Sequence, residues 1–400
     1  MTRFLYAMLV VAAGLSVPPA MARELTEEAF LSSFHAAHPA RVVLDERVAL
    51  ARANVRDAER IENPIGLFER QAPGNVGQNT WSLSWKPPFD GRRSARKDAA
   101  EAALASALGA HALAGTELRA VLRQAYANWA LTSERVAVLE AHADILRELA
   151  GWAAQRARLG EASILSARRI AFALTELEAE AARADAERID AESSALGWMR
   201  TPEAGLVPSR PALPAEPVTP DPGQAPTVSV RRQELAAAEA VARASGGFVE
   251  FPELELGWQT LSDGSTDIEG PVLGLAWPIP IFNRQQADRD AASAALAASR
   301  ARLELETARA EAGLGAAARR YERLRVAALA AVDSLAVSDE VLHSAAARYR
   351  LGESDVTELV ETVRGVLSAR LATLDLYGAA LASHRELETW LARSWASEDE

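Results

Sequence analysis

The sequence predicts a mainly α-helical fold with a small β part, in which one strand-hairpin plus long-helix unit is used twice. Three observations predict it. First, residues recur at one constant offset of 192 positions: Trp85 returns as Trp277, Pro88 as Pro280, Arg92 as Arg284, and Arg158-Leu159-Gly160-Glu161 as Arg350-Leu351-Gly352-Glu353. A repeat this long marks one architectural unit copied within the chain. Second, Arg92–Arg158 and Arg284–Arg350 each run 67 residues without a proline. Leu118, Val121, Leu122, Ala125 and Trp129 share one helical face there. Third, short segments ahead of both stretches alternate apolar and polar residues with the strand period of two.

The first residues read as a secretory signal. Arg3 gives the positive start, Leu5 to Val17 is an apolar run too short to suit a bilayer span, and Ala20-Met21-Ala22 is a small-x-small cleavage site. The expected mature chain starts at Arg23. A first helix is expected over Thr26–Ile61. A hairpin follows, in which Trp81, Leu83 and Trp85 point one way and the hydroxyls of Thr80, Ser82 and Ser84 the other. The long helix Arg92–Arg158 would be about 100 Å if unbroken. Gly160 sits where a tight reversal needs positive φ, and a last helix returns over Ala162–Met199.

Residues 201–226 contain eight prolines. Proline fixes φ and donates no hydrogen bond, so this segment reads as an extended linker between copy one (23–200) and copy two (227–400). Copy two repeats the order: a helix from Val228, a hairpin, the stretch Arg284–Arg350, a reversal at Gly352 and a helix over Ser354–Trp395. In its hairpin, Leu254, Leu256 and Trp258 alternate with Glu253, Glu255, Gly257 and Gln259. Leu273, Leu275 and Trp277 alternate with Val272, Gly274 and Ala276.

Composition narrows the function. The net charge of −12 is spread over interspersed acids and arginines, which argues against nucleic-acid binding. The absence of cysteine excludes disulfides, thiolate metal sites, thiol catalysis and a cysteine-borne lipid anchor. No GxSxG, HExxH or phosphate-loop motif is present, and no cofactor is expected. His35 and His38 could share one helix face and chelate a metal, but a surface or core role is the simpler reading. The acids of Glu176–Glu192 read as a wet helix face paired with Arg183 and Arg188.

Strands with apolar residues on one face and polar ones on the other suit a barrel with lipid outside and water inside. The same period also suits a soluble sheet with one buried face. Export, the small number of strands and the flanking long helices favour the barrel. Four strands cannot close one alone, since small membrane barrels need about eight. A trimer would supply twelve. Trp81, Trp85, Trp258 and Trp277 would then form an aromatic girdle, while Ser82, Ser84, Glu253, Glu255 and Gln259 would face the lumen.

The duplicated unit, the Trp277-Pro278-Ile279-Pro280-Ile281-Phe282-Asn283-Arg284 segment and the Tyr349-Arg350-Leu351-Gly352-Glu353 turn resemble the TolC-like outer-membrane efflux protein family. The Pro-Ile-Phe-Asn-Arg segment is most similar to its CzcC-type, heavy-metal branch. The resemblance covers nearly all of the mature sequence. It implies a homotrimer whose shared 12-stranded transmembrane β-barrel sits in the outer membrane of a Gram-negative bacterium, above a trimeric α-helical barrel in the periplasm. It implies a periplasmic adaptor and an inner-membrane RND-type pump as partners. The turns Arg158, Leu159, Gly160, Glu161 and Arg350, Leu351, Gly352, Glu353 would touch the adaptor. Glu358 and Glu361 match the pore-facing acidic positions after the second turn, and also read as ordinary solvated helix positions. Where the family carries a basic latch residue this chain has Ser354, and Ala162-Ser163-Ile164 offers no acidic partner. Metal cations are the expected cargo; drugs or secreted proteins are the alternative, as is a periplasmic coiled-coil scaffold or adaptor in place of a duct.

Overall fold

The computed structural model describes residues 23–34, 38–72, 74, 76–89, 91–199, 205–215, 221–246, 251–262, 265–277, 279 and 285–391. The expected signal segment 1–22, His35, the Asp263-Gly264 turn and Phe282-Asn283-Arg284 lie outside them. In chain order the elements are β1 (Arg23–Leu25), α1 (Glu27–Ser33), α2 (Pro39–Ala58), β2 (Ile65–Gln71), β3 (Gly77–Trp85), α3 (Arg92–Arg158), α4 (Ile164–Leu196) and β4 (Leu206–Pro208). Then come α5 (Pro226–Ala244), β5 (Glu253–Ser262), β6 (Asp267–Ala276), α6 (Gln286–Ser334), α7 (Ser338–Leu351) and α8 (Val356–Leu391).

Three expectations need correction. The helix expected over Thr26–Ile61 is two helices. Pro39 cannot donate to the preceding turn and so opens a new helix at its first position. Thr26 caps α1 by accepting from the Ala29 N–H at 3.2 Å, and the His38 ring nitrogen caps α2 by accepting from Ala40 at 3.2 Å. The second long stretch is also two helices, divided by a 3-10 turn at Leu335–Val337. Copy one buries Leu146 where copy two has Ser338, and α3 runs through. In copy two Arg370 donates to Ser338 Oγ (2.6 Å) and to the Asp339 carboxylate (2.6 Å), fixing the new N-terminus. Asp339 and Glu340 then lie in the first turn of α7, where the helix dipole favours acids. The proline-rich segment, third, is structured in part. Its β4 pairs in parallel with β1, and Pro222–Gln224 form a 3-10 turn that leads into α5.

The chain forms two compact units, each drawing on both sequence copies. The first contains α1, the β1–β4 ribbon, the later part of α3, α4, α7 and the first part of α8. Its core is a four-helix bundle: Leu139, Leu146 and Leu149 of α3 pack with Ile170 and Leu177 of α4, Leu342 and Tyr349 of α7, and Leu359 and Val363 of α8. Burying each such side chain contributes about 1.5–3 kcal/mol. The ribbon is held by Tyr126, whose buried hydroxyl lies 2.5 Å from the Leu25 carbonyl oxygen and 2.8 Å from that of Ser209.

The second unit contains α2, the beginning of α3, α5, α6, the end of α8 and a four-stranded antiparallel sheet of order β2-β3-β5-β6. Leu314 and Tyr321 of α6 pack on Leu387 of α8. Arg123 and Glu388 form an ion pair whose side chains are 14% and 10% exposed. Tyr321 donates its hydroxyl to the Pro214 carbonyl at 2.6 Å, and burial pushes its pKa up to about 12.

Candidate functional site

The sheet carries one apolar and one mostly polar face, and register decides which residue lies where. Phe68, Trp81, Trp258 and Pro271 form one cross-strand row, with the Phe68 and Trp81 ring centres 4.3 Å apart. The next row on this face is Gly66, Leu83, Leu256 and Leu273, and the third is Trp85, Leu254 and Leu275. Among the described residues nothing covers them: Trp81 is 63% exposed, Leu83 50% and Leu273 80%. Trp277, just past β6, is exposed as well. A contiguous apolar face of this kind marks an interaction surface.

The opposite face carries Thr80, Ser82 and Ser84 beside Glu253, Glu255 and Gln259, with Ser84 Oγ hydrogen-bonded to the Glu253 carboxylate. Gly257 is needed there, because a Cβ would lie 2.6 Å from the Trp81 carbonyl oxygen. β2 departs from the pattern: Ile65 and Leu67 pair with Ser84 and Ser82 and so join the polar face. β2 and β6 are the sheet's two edges, each hydrogen-bonded on one side.

The two helix reversals in the other unit are the same motif twice. Gly160 (φ +77°) and Gly352 (φ +78°) take the left-handed conformation. The N–H groups of Glu161 and Glu353 donate to Arg156 O and Arg348 O, each at 2.9 Å, while Gly160 and Gly352 donate to Ala157 O and Tyr349 O. This pairing is the Schellman closure of a helix. It leaves Leu159 and Leu351 presented to solvent, 66% and 73% exposed. Arg158, Glu161, Arg350 and Glu353 flank them in the sequence. Arg156 reaches Glu161 at 3.3 Å, and Arg350 reaches Glu148 of copy one at 2.5 Å. Arg364–Glu176 and Arg169–Thr357 (3.1 Å) add links between the copies' helices.

Glu358 and Glu361 lie one turn apart on α8 with Asp355, Thr357 and Thr362, on an open surface. The structure separates their roles. Glu358 accepts from Arg348 at 2.9 Å and its N–H is capped by Asp355 at 2.8 Å. Glu361 is exposed and has no ion pair among the described residues. His38 is used as a helix cap, and no group of three metal-ligating side chains occurs among the described residues. No described helix is long and apolar enough to cross a membrane. Sequence reasoning missed the Arg370 staple and the Arg123–Glu388 pair, because both join residues far apart in the chain.

Comparison with known proteins accords with this geometry. No protein-family model matches the sequence. The cobalt-zinc-cadmium resistance protein CzcC of Cupriavidus metallidurans is 22% identical over 395 residues, covering 95% of this chain and 94% of that protein. The solved channel protein CusC superposes with a TM-score of 0.73 at 18% identity, covering 91% of each chain. The open state of the MtrE outer membrane channel of Neisseria gonorrhoeae gives 0.73 at 17% identity, over 92% of this chain and 88% of that one. The chain has the TolC-like outer-membrane channel fold. In this TolC-like fold the two-faced sheet and the paired helix reversals occur together in one polypeptide, as the sequence resemblance implied.

Proposed function

We propose that three copies of this chain close their sheets into one twelve-stranded barrel in the outer membrane of a Gram-negative bacterium. The barrel serves as the exit duct of a tripartite efflux system. The observation that carries this reading is the sheet itself: an uncovered apolar face bounded by two open edges. Lipid satisfies the face, but it cannot hydrogen-bond the edges, so β6 of one copy must pair with β2 of the next. Trp81, Trp85, Trp258 and Trp277 then lie in the aromatic belts, and the face of Ser82, Ser84, Glu253 and Glu255 lines the bore.

The two Schellman turns, with their exposed leucines and flanking charges, are the docking points for a periplasmic adaptor, itself coupled to an inner-membrane RND-type pump. The duct conducts passively. The likeness to a cobalt-zinc-cadmium resistance protein supports divalent metal cations as cargo. A ring of three Glu361 carboxylates at the entrance would favour cations. Glu358, already paired with Arg348, contributes less. Single channels in planar bilayers test this. Glu361→Gln should lower cation over anion selectivity more than Glu358→Gln does, and equal, unchanged selectivity in both variants would remove the ring from the account.

A further inference from the structure

We propose that the cavity beneath the β3–α3 junction binds the anionic headgroup of a phospholipid in the periplasmic leaflet. This rests on the outer-membrane reading and adds a specific lipid site to it. The cavity, about 310 Å³, is lined by Arg60, Lys86, Arg92 and Arg96 against two acids, Glu62 and Asp288.

Three features single it out. The first is charge: in a chain of net charge −12 with only two lysines, Lys86 lines this cavity and Lys97 lies one residue beyond Arg96. The second is a conflict within α3. Its first six residues are Arg-Arg-Ser-Ala-Arg-Lys, and its first turn holds no acid. Cations at a helix N-terminus oppose the helix dipole, which favours anions there. Arg93 and Lys97 are accounted for by Glu59: Arg93 donates to its carbonyl at 2.8 Å, and Lys97 pairs with its carboxylate at 2.7 Å, holding that carboxyl below its usual pKa. Arg92 and Arg96, one turn apart, both line the cavity, and of the two Arg96 has no partner among the described residues. At Arg96 the conflict with the helix dipole meets no counter-charge among the described residues, which points to an external anion.

The third feature is position. Lys86 directly follows Trp85, the last residue of the apolar face on β3. Phe89 is exposed and meets Phe251 edge-on at 5.5 Å, and Trp277 is exposed beyond β6. Aromatic rings at the end of an apolar band mark the headgroup level of a bilayer. Basic pockets at that level hold phosphate-bearing headgroups. Charge complementarity and continuity with the aromatic row therefore name one occupant.

The test uses the full-length protein reconstituted in phosphatidylcholine vesicles, with brominated phosphatidylglycerol or brominated phosphatidylcholine titrated against tryptophan fluorescence. Phosphatidylglycerol should bind several-fold more tightly than phosphatidylcholine. Arg92→Gln and Arg96→Gln should each cut that preference roughly fivefold or remove it, as expected for a cation at the headgroup level. Arg96→Lys should retain it, and a heat-resistant oligomer band shows that each variant has folded. Equal quenching by the two lipids in an inserted protein overturns the lipid site and leaves the barrel reading standing. Displacement by millimolar inorganic phosphate overturns the lipid in favour of a small-anion site. Failure to insert into either vesicle overturns the barrel reading and the lipid site together.

Discussion

Leu83 lies in the middle row of the apolar sheet face, paired with Gly66 on one side and Leu256 on the other. If that face meets lipid, Leu83→Arg places a guanidinium in hydrocarbon. At a bilayer midplane this costs about 2–4 kcal/mol per chain. The Trp81 and Trp85 rows lie two residues away on either side, about 7 Å along the strand. A long side chain can reach toward that edge, so the lower end of the range applies. About 2 kcal/mol per chain becomes about 6 kcal/mol for a trimer. Ser82→Arg is the control: it changes the adjacent residue on the opposite, polar face, where the cost should be near zero. Urea titration of the reconstituted oligomer, read by its resistance to dissociation in detergent, compares the two. A large loss for Leu83→Arg with little for Ser82→Arg is expected. Equal losses, or a larger one for Ser82→Arg, would refute the assignment of faces.

Three further outcomes follow from the helices. Gly352→Ala puts a side chain at φ +78° with open space around it, so its cost is purely conformational, about 1–2 kcal/mol, measurable as a lower denaturation midpoint. Glu388→Gln leaves Arg123 without its buried counter-ion and should destabilise by about 3–5 kcal/mol; a loss under 1 kcal/mol would mean that the pair is solvated. His142 is fully buried, its Nε2 has no hydrogen-bond partner, and burial, with Arg370 nearby, depresses its pKa below 6.5. A group more readily protonated when unfolded stabilises the fold above pH 6.5 and loses that contribution as pH falls through its native pKa. Urea midpoints should therefore drop between pH 7.5 and 5, and His142→Leu should flatten the drop.

Much of this was legible because it is local or repeated. The Trp81-Ser82-Leu83-Ser84-Trp85 alternation assigned the faces of β3 correctly, and the Leu-Gly steps marked both reversals, because only a glycine-tolerant φ closes a helix that way. The α1–α2 break is marked only by Pro39, inside a stretch that otherwise reads as one helix over Thr26–Ile61. The 3-10 turn at Leu335–Val337 carries neither Gly nor Pro. It exists because Arg370, 31 residues beyond Asp339, holds the start of α7. The β1–β4 pairing joins segments some 180 residues apart, and three-residue strands leave no period to detect. Ile65 and Leu67 could be placed only from the register with Ser84 and Ser82. Glu358 and Glu361 look alike in sequence and differ only once Arg348 is seen to occupy one of them.

The central claim is that the open edges β2 and β6 join between copies. The chain has no cysteine, so engineered thiols report on this without background. Leu67→Cys in β2 would be combined in turn with Val272→Cys, Gly274→Cys and Ala276→Cys in β6, and the membrane-inserted protein oxidised. At one register or more the account predicts covalent dimers and trimers on a reducing-agent-free gel, collapsing to monomer on reduction. Monomer alone at every register, in protein recovered from the membrane fraction, would contradict it.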